Sequence, residues 1–205
     1  VVFVHGGYWM RFDKSTWTDL AEGARHHGWT VALPSYTLTP AARISDITAE
    51  IATAIAKAAA LVAGPIRLAG HSAGGHLVTR MLCDDSRLDP AVANRIAGTL
   101  SISGLHDLRP LLKTTMNDTL RMTMEEATLE SAALHLPRGP SPVTAWVGGN
   151  ERPEFIRQSD LMANVWTGFD VPTRLVVDPG LNHFTVIDAL KDPSSPITAR
   201  LIGLD

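Results

Sequence analysis

Pro65-Ile66-Arg67-Leu68-Ala69-Gly70-His71-Ser72-Ala73-Gly74 decides how this chain is read. The apolar run before Gly70 has the length and branching of a short buried strand. From Ala73 to Cys83, the residues Leu77, Val78, Met81 and Leu82 fall on one side of a helix. Ser72 therefore stands at a strand-to-helix corner. A turn that sharp strains the serine backbone and crowds its neighbours, so Gly70 and Gly74 occupy positions where a side chain would collide, and the helix N-terminus aims amide dipoles at the corner. The arrangement presents a nucleophile, which points to covalent serine hydrolysis. The alternative is a glycine-rich turn in which Ser72 only caps the helix.

Working outward, short runs rich in Val, Ile and Leu alternate with longer amphipathic segments, the signature of an α/β architecture with a mostly parallel, doubly wound sheet. Strands are expected near 1–5, 30–34, 66–70, 97–103, 143–147 and 173–178. Helices are expected near 16–27, 44–63, 73–83, 153–169, 184–191 and 197–203. In the second helix Ile44, Ile47, Ile51, Ile55, Ala58, Leu61 and Val62 recur at helical spacing and read as core. The segment 105–142, with a methionine-rich helical middle over 116–136, is expected either as a small cap over a site or as a packed peripheral helix.

The 205 residues, 45% hydrophobic and 19% charged, suffice for one sizeable core, so a single domain over 1–205 is expected. Eighteen basic against 21 acidic side chains, without blocks of one sign, give no electrostatic footprint for nucleic acid or an anionic membrane. The longest apolar stretch, Ile51 to Val62, carries Lys57 and is too short to span a bilayer. Small molecules are the expected partners. The single cysteine, Cys83, reads as a buried thiol that fits a reducing compartment, and the expected location is cytoplasmic. Val1-Val2-Phe3-Val4 already looks like an interior strand, so a preceding portion with further strands is expected outside this sequence.

In a doubly wound sheet, functional groups gather beyond the C-terminal ends of the strands. A serine nucleophile needs a base near neutral pKa, and His183, in Gly180-Leu181-Asn182-His183-Phe184 after the last strand, stands where the order serine, acid, histidine requires. His71 is expected to point away from the site that Ser72 faces. The acid is sought in Gly148-Gly149-Asn150-Glu151-Arg152-Pro153-Glu154, with Glu151 the first choice, Glu154 the second and Asp107 a third; Asp178 is expected to end its own strand. His5-Gly6-Gly7-Tyr8-Trp9 follows the first strand, and the amides of Gly7, Tyr8 and Ala73 are expected to form an oxyanion hole. Trp9 and His76 are candidate substrate contacts. No histidine-carboxylate spacing suggests a metal, and no cofactor is expected.

With these residues in place, the chain resembles the α/β-hydrolase fold. Within it, the chain is similar to the esterase and kynurenine formamidase (arylformamidase) group, which carries His5-Gly6-Gly7-Tyr8-Trp9 and Gly70-His71-Ser72-Ala73-Gly74-Gly75-His76-Leu77. Ser103-Gly104-Leu105-His106-Asp107-Leu108-Arg109-Pro110-Leu111 and Asn182-His183-Phe184 also look like that group's loops, and Pro153-Glu154-Phe155-Ile156-Arg157-Gln158-Ser159 resembles its helix after the acid. The resemblance implies an eight-stranded sheet and a triad acid at Glu151, where aspartate is common. It implies hydrolysis of a short-acyl ester or an aryl formamide, with dedicated cleavage of N-formylkynurenine as an alternative. A non-catalytic ligand receptor on the same scaffold is the reading from another class.

Overall fold

Alternation along the strands puts successive side chains on opposite faces of a sheet, and in this chain both faces are covered. The computed structural model describes residues 1–204. Five strands, β1 (Val2–Val4), β2 (Ile66–His71), β3 (Ile96–Ile102), β4 (Val143–Gly148) and β5 (Thr173–Asp178), form one parallel sheet in chain order. The helices are α1 (Glu22–His26), α2 (Ile44–Leu61), α3 (Ala73–Arg80), α4 (Pro90–Ala93), α5 (Asn117–Leu120), α6 (Met124–Leu129), α7 (Pro153–Thr167) and α8 (Pro196–Ile202). Val2, Val4, Leu68, Val143 and Val147 meet α2, α3 and α7 in one core. Phe3, Ala69, Leu100, Ile102 and Trp146 face the other way, onto α1, α8 and the chain over 186–190.

The register brings the strand ends together. Gly70 lies opposite Val4 and Ser101, Ile102 opposite Trp146, and Gly148 opposite Asp178. The loops that follow the strands therefore open along one edge of the sheet, where the residues singled out above are found.

Several elements are shorter than their patterns suggest. The expected strand over 30–34 makes a single bridge, Ala32 to Val2, with the Phe3 amide donating to the Ala32 carbonyl at 2.9 Å. The stripe of α2 is buried from Ile44 to Ala59, but Leu61 is 84% exposed and Val62 is exposed, because 100° per residue carries the last turn off the buried face. The first expected helix is a 3-10 turn over 14–21 followed by the short α1, and the one expected over 184–191 is a 3-10 turn over 188–191. Segment 105–142 breaks into a 3-10 turn over 109–113, then α5, α6 and a further 3-10 turn over 132–134. Its Leu105, Leu108, Leu111, Leu120 and Met122 join the core. Among the described residues no helix is long and apolar enough to cross a membrane.

The α2 stripe contributes, with α3 and α7, to one of the two coverings of the sheet. Ile51, fully buried at its centre, is expected to cost about 2–5 kcal/mol when cut to Ala, read as a lower midpoint of equilibrium denaturation with an unchanged slope.

Candidate active site

Ser72 takes φ 55° and ψ −116° between β2 and α3, a conformation that L-residues avoid. It is held by its own amide donating to the Ile102 carbonyl at 2.8 Å and by its carbonyl accepting from the His76 amide at 3.1 Å. The flanking glycines permit the packing. A Cβ on Gly70 would overlap the Gly74 carbonyl, and one on Gly74 would overlap the Val4 carbonyl of β1. The serine is therefore presented at the top of the sheet because α3 starts almost in contact with two strands.

The histidine and the acid come together across the end of β4. His183 Nδ1 lies 2.6 Å from Glu151 Oε2; since a carboxylate accepts, Nδ1 carries the hydrogen of this bond. Glu151 Oε1 accepts from Ser103 Oγ at 2.5 Å and from the Gly148 amide at 2.8 Å. Burial alone would push the Glu151 carboxyl up. The bonds from His183, Ser103 and Gly148 outweigh that cost and hold it below its ordinary value near 4.5. The other acids are engaged elsewhere. Asp107 pairs with Arg109, Glu154 with Arg157 and Gln158, and Asp178 ends β5 and accepts from Trp146 Nε1 at 3.2 Å.

Ser72 and His183 line one cavity of about 360 Å³. Gly7, Tyr8, Met10, Arg11, Phe12, Trp17, His71, Met116 and Phe184 complete its lining. Ser72 Oγ has no hydrogen-bond partner among the described residues. The backbone after β1 turns with positive φ at Gly7 (112°), Tyr8 (51°) and Trp9 (59°). The amides of Gly7, Tyr8 and Ala73 donate to no acceptor among the described residues. Such an assembly can accept a proton from a hydroxyl and hold negative charge on a carbonyl oxygen.

The model of a family described as alpha/beta hydrolase matches residues 1–205. The chain belongs to that hydrolase family. It is 28% identical to the kynurenine formamidase of Salmo salar over 213 residues, covering 100% of this chain and 72% of that protein. The kynurenine formamidase of Drosophila melanogaster is 24% identical, with the same coverage of 100% and 72%. A crystal structure of a candidate thioesterase from Silicibacter sp. TM1040 superposes with a TM-score of 0.94 at 48% identity, over 98% of this chain and 74% of that one. The propionate-bound esterase of Thermogutta terrifontis shares the fold at a TM-score of 0.71 and 21% identity, over 89% and 72% of the two chains.

Two expected substrate contacts lie elsewhere in this hydrolase. Trp9 and His76 are both fully buried, their rings 5.2 Å apart and edge-on, and neither lines the cavity. His76 Nε2 donates to the Glu130 carbonyl at 2.7 Å. Burial lowers its pKa to about 3, so the ring is neutral and joins the loop after β1 to α3 as a packed pair. Spacing brought His76 near Ser72 along the helix, but the side chain points into the core. His71 corrects the opposite expectation, since it lines the cavity beside Ser72. Sequence reasoning also missed Ser103, which holds Glu151 from a backbone with φ 50°. It missed Phe155 too, which stacks on the His183 ring at 4.1 Å and 29°. Ser103-Gly104 at a strand end was the available signal for the first.

The Glu151 shift has a consequence for stability. A carboxyl lowered by folding contributes stability that is present above its ordinary value and lost as pH falls through the lowered one. In unfolding free energies measured from about pH 7 to pH 3, wild type should therefore lose more stability below about 4.5 than Glu151→Gln, which cannot ionise.

Proposed function

We propose that this hydrolase uses Ser72 as nucleophile to cleave short-acyl esters or aryl formamides through an acyl-enzyme. The observation that carries the reading is the run of hydrogen bonds from Ser103 and Gly148 to Glu151 and on to His183, which shares a cavity with Ser72. Ser72 Oγ attacks the substrate carbonyl carbon while its proton passes to His183 Nε2. Glu151 keeps the imidazole in the required tautomer and stabilises its cation. The amides of Gly7, Tyr8 and Ala73 hold the oxyanion. The tetrahedral species collapses as His183 returns the proton to the departing alcohol or amine. Water, deprotonated by His183, then releases the acid and restores Ser72.

The residues of this mechanism need no metal or cofactor. The aromatic and thioether walls favour an aryl or otherwise apolar leaving group, and the named relatives support both a formamide and an ester. Cleavage of N-formylkynurenine as a dedicated task is the second reading, favoured by the formamidases that match the whole chain. In this reading the enzyme is one domain, and the 105–142 segment serves as a small cap that supplies a fixed side wall through Met116. Its proposed setting is the cytoplasm, supported by the buried free thiol of Cys83.

Ser72→Ala is expected to remove nearly all turnover while leaving the thermal transition in place, and a folded mutant with near-wild-type kcat would defeat the mechanism. Glu151→Gln should lower kcat by about 10³-fold or more, as loss of a triad acid does elsewhere, with Asp107→Asn nearly silent. The substrate is tested by kcat/KM for N-formylkynurenine beside an aryl acetate. Strong preference for the formamide supports the dedicated role, and preference for the ester supports a general esterase.

A further inference from the structure

His71 is buried at 3% exposure next to the nucleophile, yet its ring reaches out of the strand toward the histidine loop. Its Nε2 lies 2.8 Å from the His183 carbonyl oxygen, a bond that spans 112 residues. A carbonyl only accepts, so Nε2 carries the hydrogen. Burial, with His183 adjacent, lowers the pKa of His71 to about 3, so the ring holds that one hydrogen and no charge. Nδ1 is then a bare acceptor, and it has no partner among the described residues.

The loop around His183 is tied down mostly through its neighbours. Asn182 Oδ1 accepts from the amides of Phe184 and Thr185, and Asn150 holds the carbonyls of Leu181 and Gly180. His183 itself has two hydrogen bonds among the described residues, one from its ring to Glu151 and one from His71 to its carbonyl. The first fixes the rotation and tautomer of the imidazole. The second fixes how far its backbone stands from the turn that carries Ser72. The ring also packs against Phe155, stacked at 4.1 Å, and against His71, tilted at 4.6 Å.

We propose that His71 is a positioning residue: through Nε2–H it clamps the His183 carbonyl to the nucleophile turn and so sets the distance between base and serine. The proposal rests on the reading of His183 as the base. Its side chain belongs to the residue immediately before Ser72, so the clamp joins nucleophile and base through one peptide unit. A neutral donor suits the place, because a cation 4.6 Å from His183 would oppose the imidazolium that forms during acylation.

The test compares His71→Leu, which removes the donor, with His71→Gln, whose side-chain amide places a hydrogen near the position of Nε2. For aryl acetate hydrolysis, His71→Leu is expected to lower kcat about 10- to 100-fold, the penalty of a displaced catalytic group, with KM changed by about twofold or less. His71→Gln should recover kcat to within about threefold of wild type, because its amide restores the bond to the same carbonyl. A His71→Leu enzyme with wild-type kcat overturns the clamp, as does a folded His71→Gln enzyme no better than His71→Leu. Nitrogen-15 NMR of the wild-type ring is independent of whether the variants fold. A neutral Nε2–H tautomer that persists from about pH 5 to pH 8 supports the assignment, and an Nδ1–H tautomer or titration in that range overturns it. His183→Ala in the same assay separates the two levels. If it stays active the catalytic reading fails, and if it is inactive while His71→Leu is unimpaired only the clamp fails.

Discussion

The positive φ of Ser72 is the constraint from which the site follows. Such a conformation costs a non-glycine residue about 1–3 kcal/mol and persists only where the surroundings over-determine it. Here the over-determination comes from packing. Helix α3 begins so close to β1 and β2 that only glycine fits at positions 70 and 74, and the serine backbone bonds forward to His76 and sideways to Ile102. The same turn starts the helix whose first amide, that of Ala73, stays open. His71, the last residue of β2 before this turn, lines the cavity beside Ser72.

Around this turn the chain separates charge from connection. Beside the cavity one carboxylate, Glu151, is buried and receives three hydrogen bonds, which hold its pKa below the ordinary value. Connection falls to imidazoles that burial keeps neutral, each with a pKa lowered to about 3. His71 reaches the His183 loop, His76 reaches the Glu130 carbonyl, and His106 lies beside Thr79 Oγ1 at 3.2 Å and Ser101 Oγ at 3.4 Å. A neutral imidazole makes such links without adding a charge next to Ser72 and His183.

Much of this was legible in the residues. The apolar runs located all five strands: β1 to β4 are buried along most of their length and leave a continuous signal, β5 keeps its branched residues though none is fully buried, and the two glycine motifs marked where the chain turns. Glu151 was separable from Glu154 because the latter opens α7 and belongs to the helix end. What could not be read was side-chain direction where the backbone leaves regular geometry. His71 ends a strand at a strained corner and Trp9 sits in a run of positive φ, so neither the two-residue nor the 3.6-residue period says where they point. His76 obeys the helical period, but whether that face meets the cavity or the core depends on Glu130, distant in sequence. The segment 105–142 was overread as longer helix because its methionines and alanines favour helix while its turns are set by tertiary contacts.

The groups proposed for catalysis do not sit on equally protected parts of the sheet. Ser72 follows a strand with neighbours on both sides, whereas His183 follows β5, an outermost strand in which no residue is fully buried. Local opening is least costly where few apolar contacts must be broken. Fraying of that margin would carry His183 away while the turn at Ser72 stayed folded. On the roles proposed for these two residues, working lifetime under thermal stress would follow the attachment of β5 and not the melting of the sheet's centre.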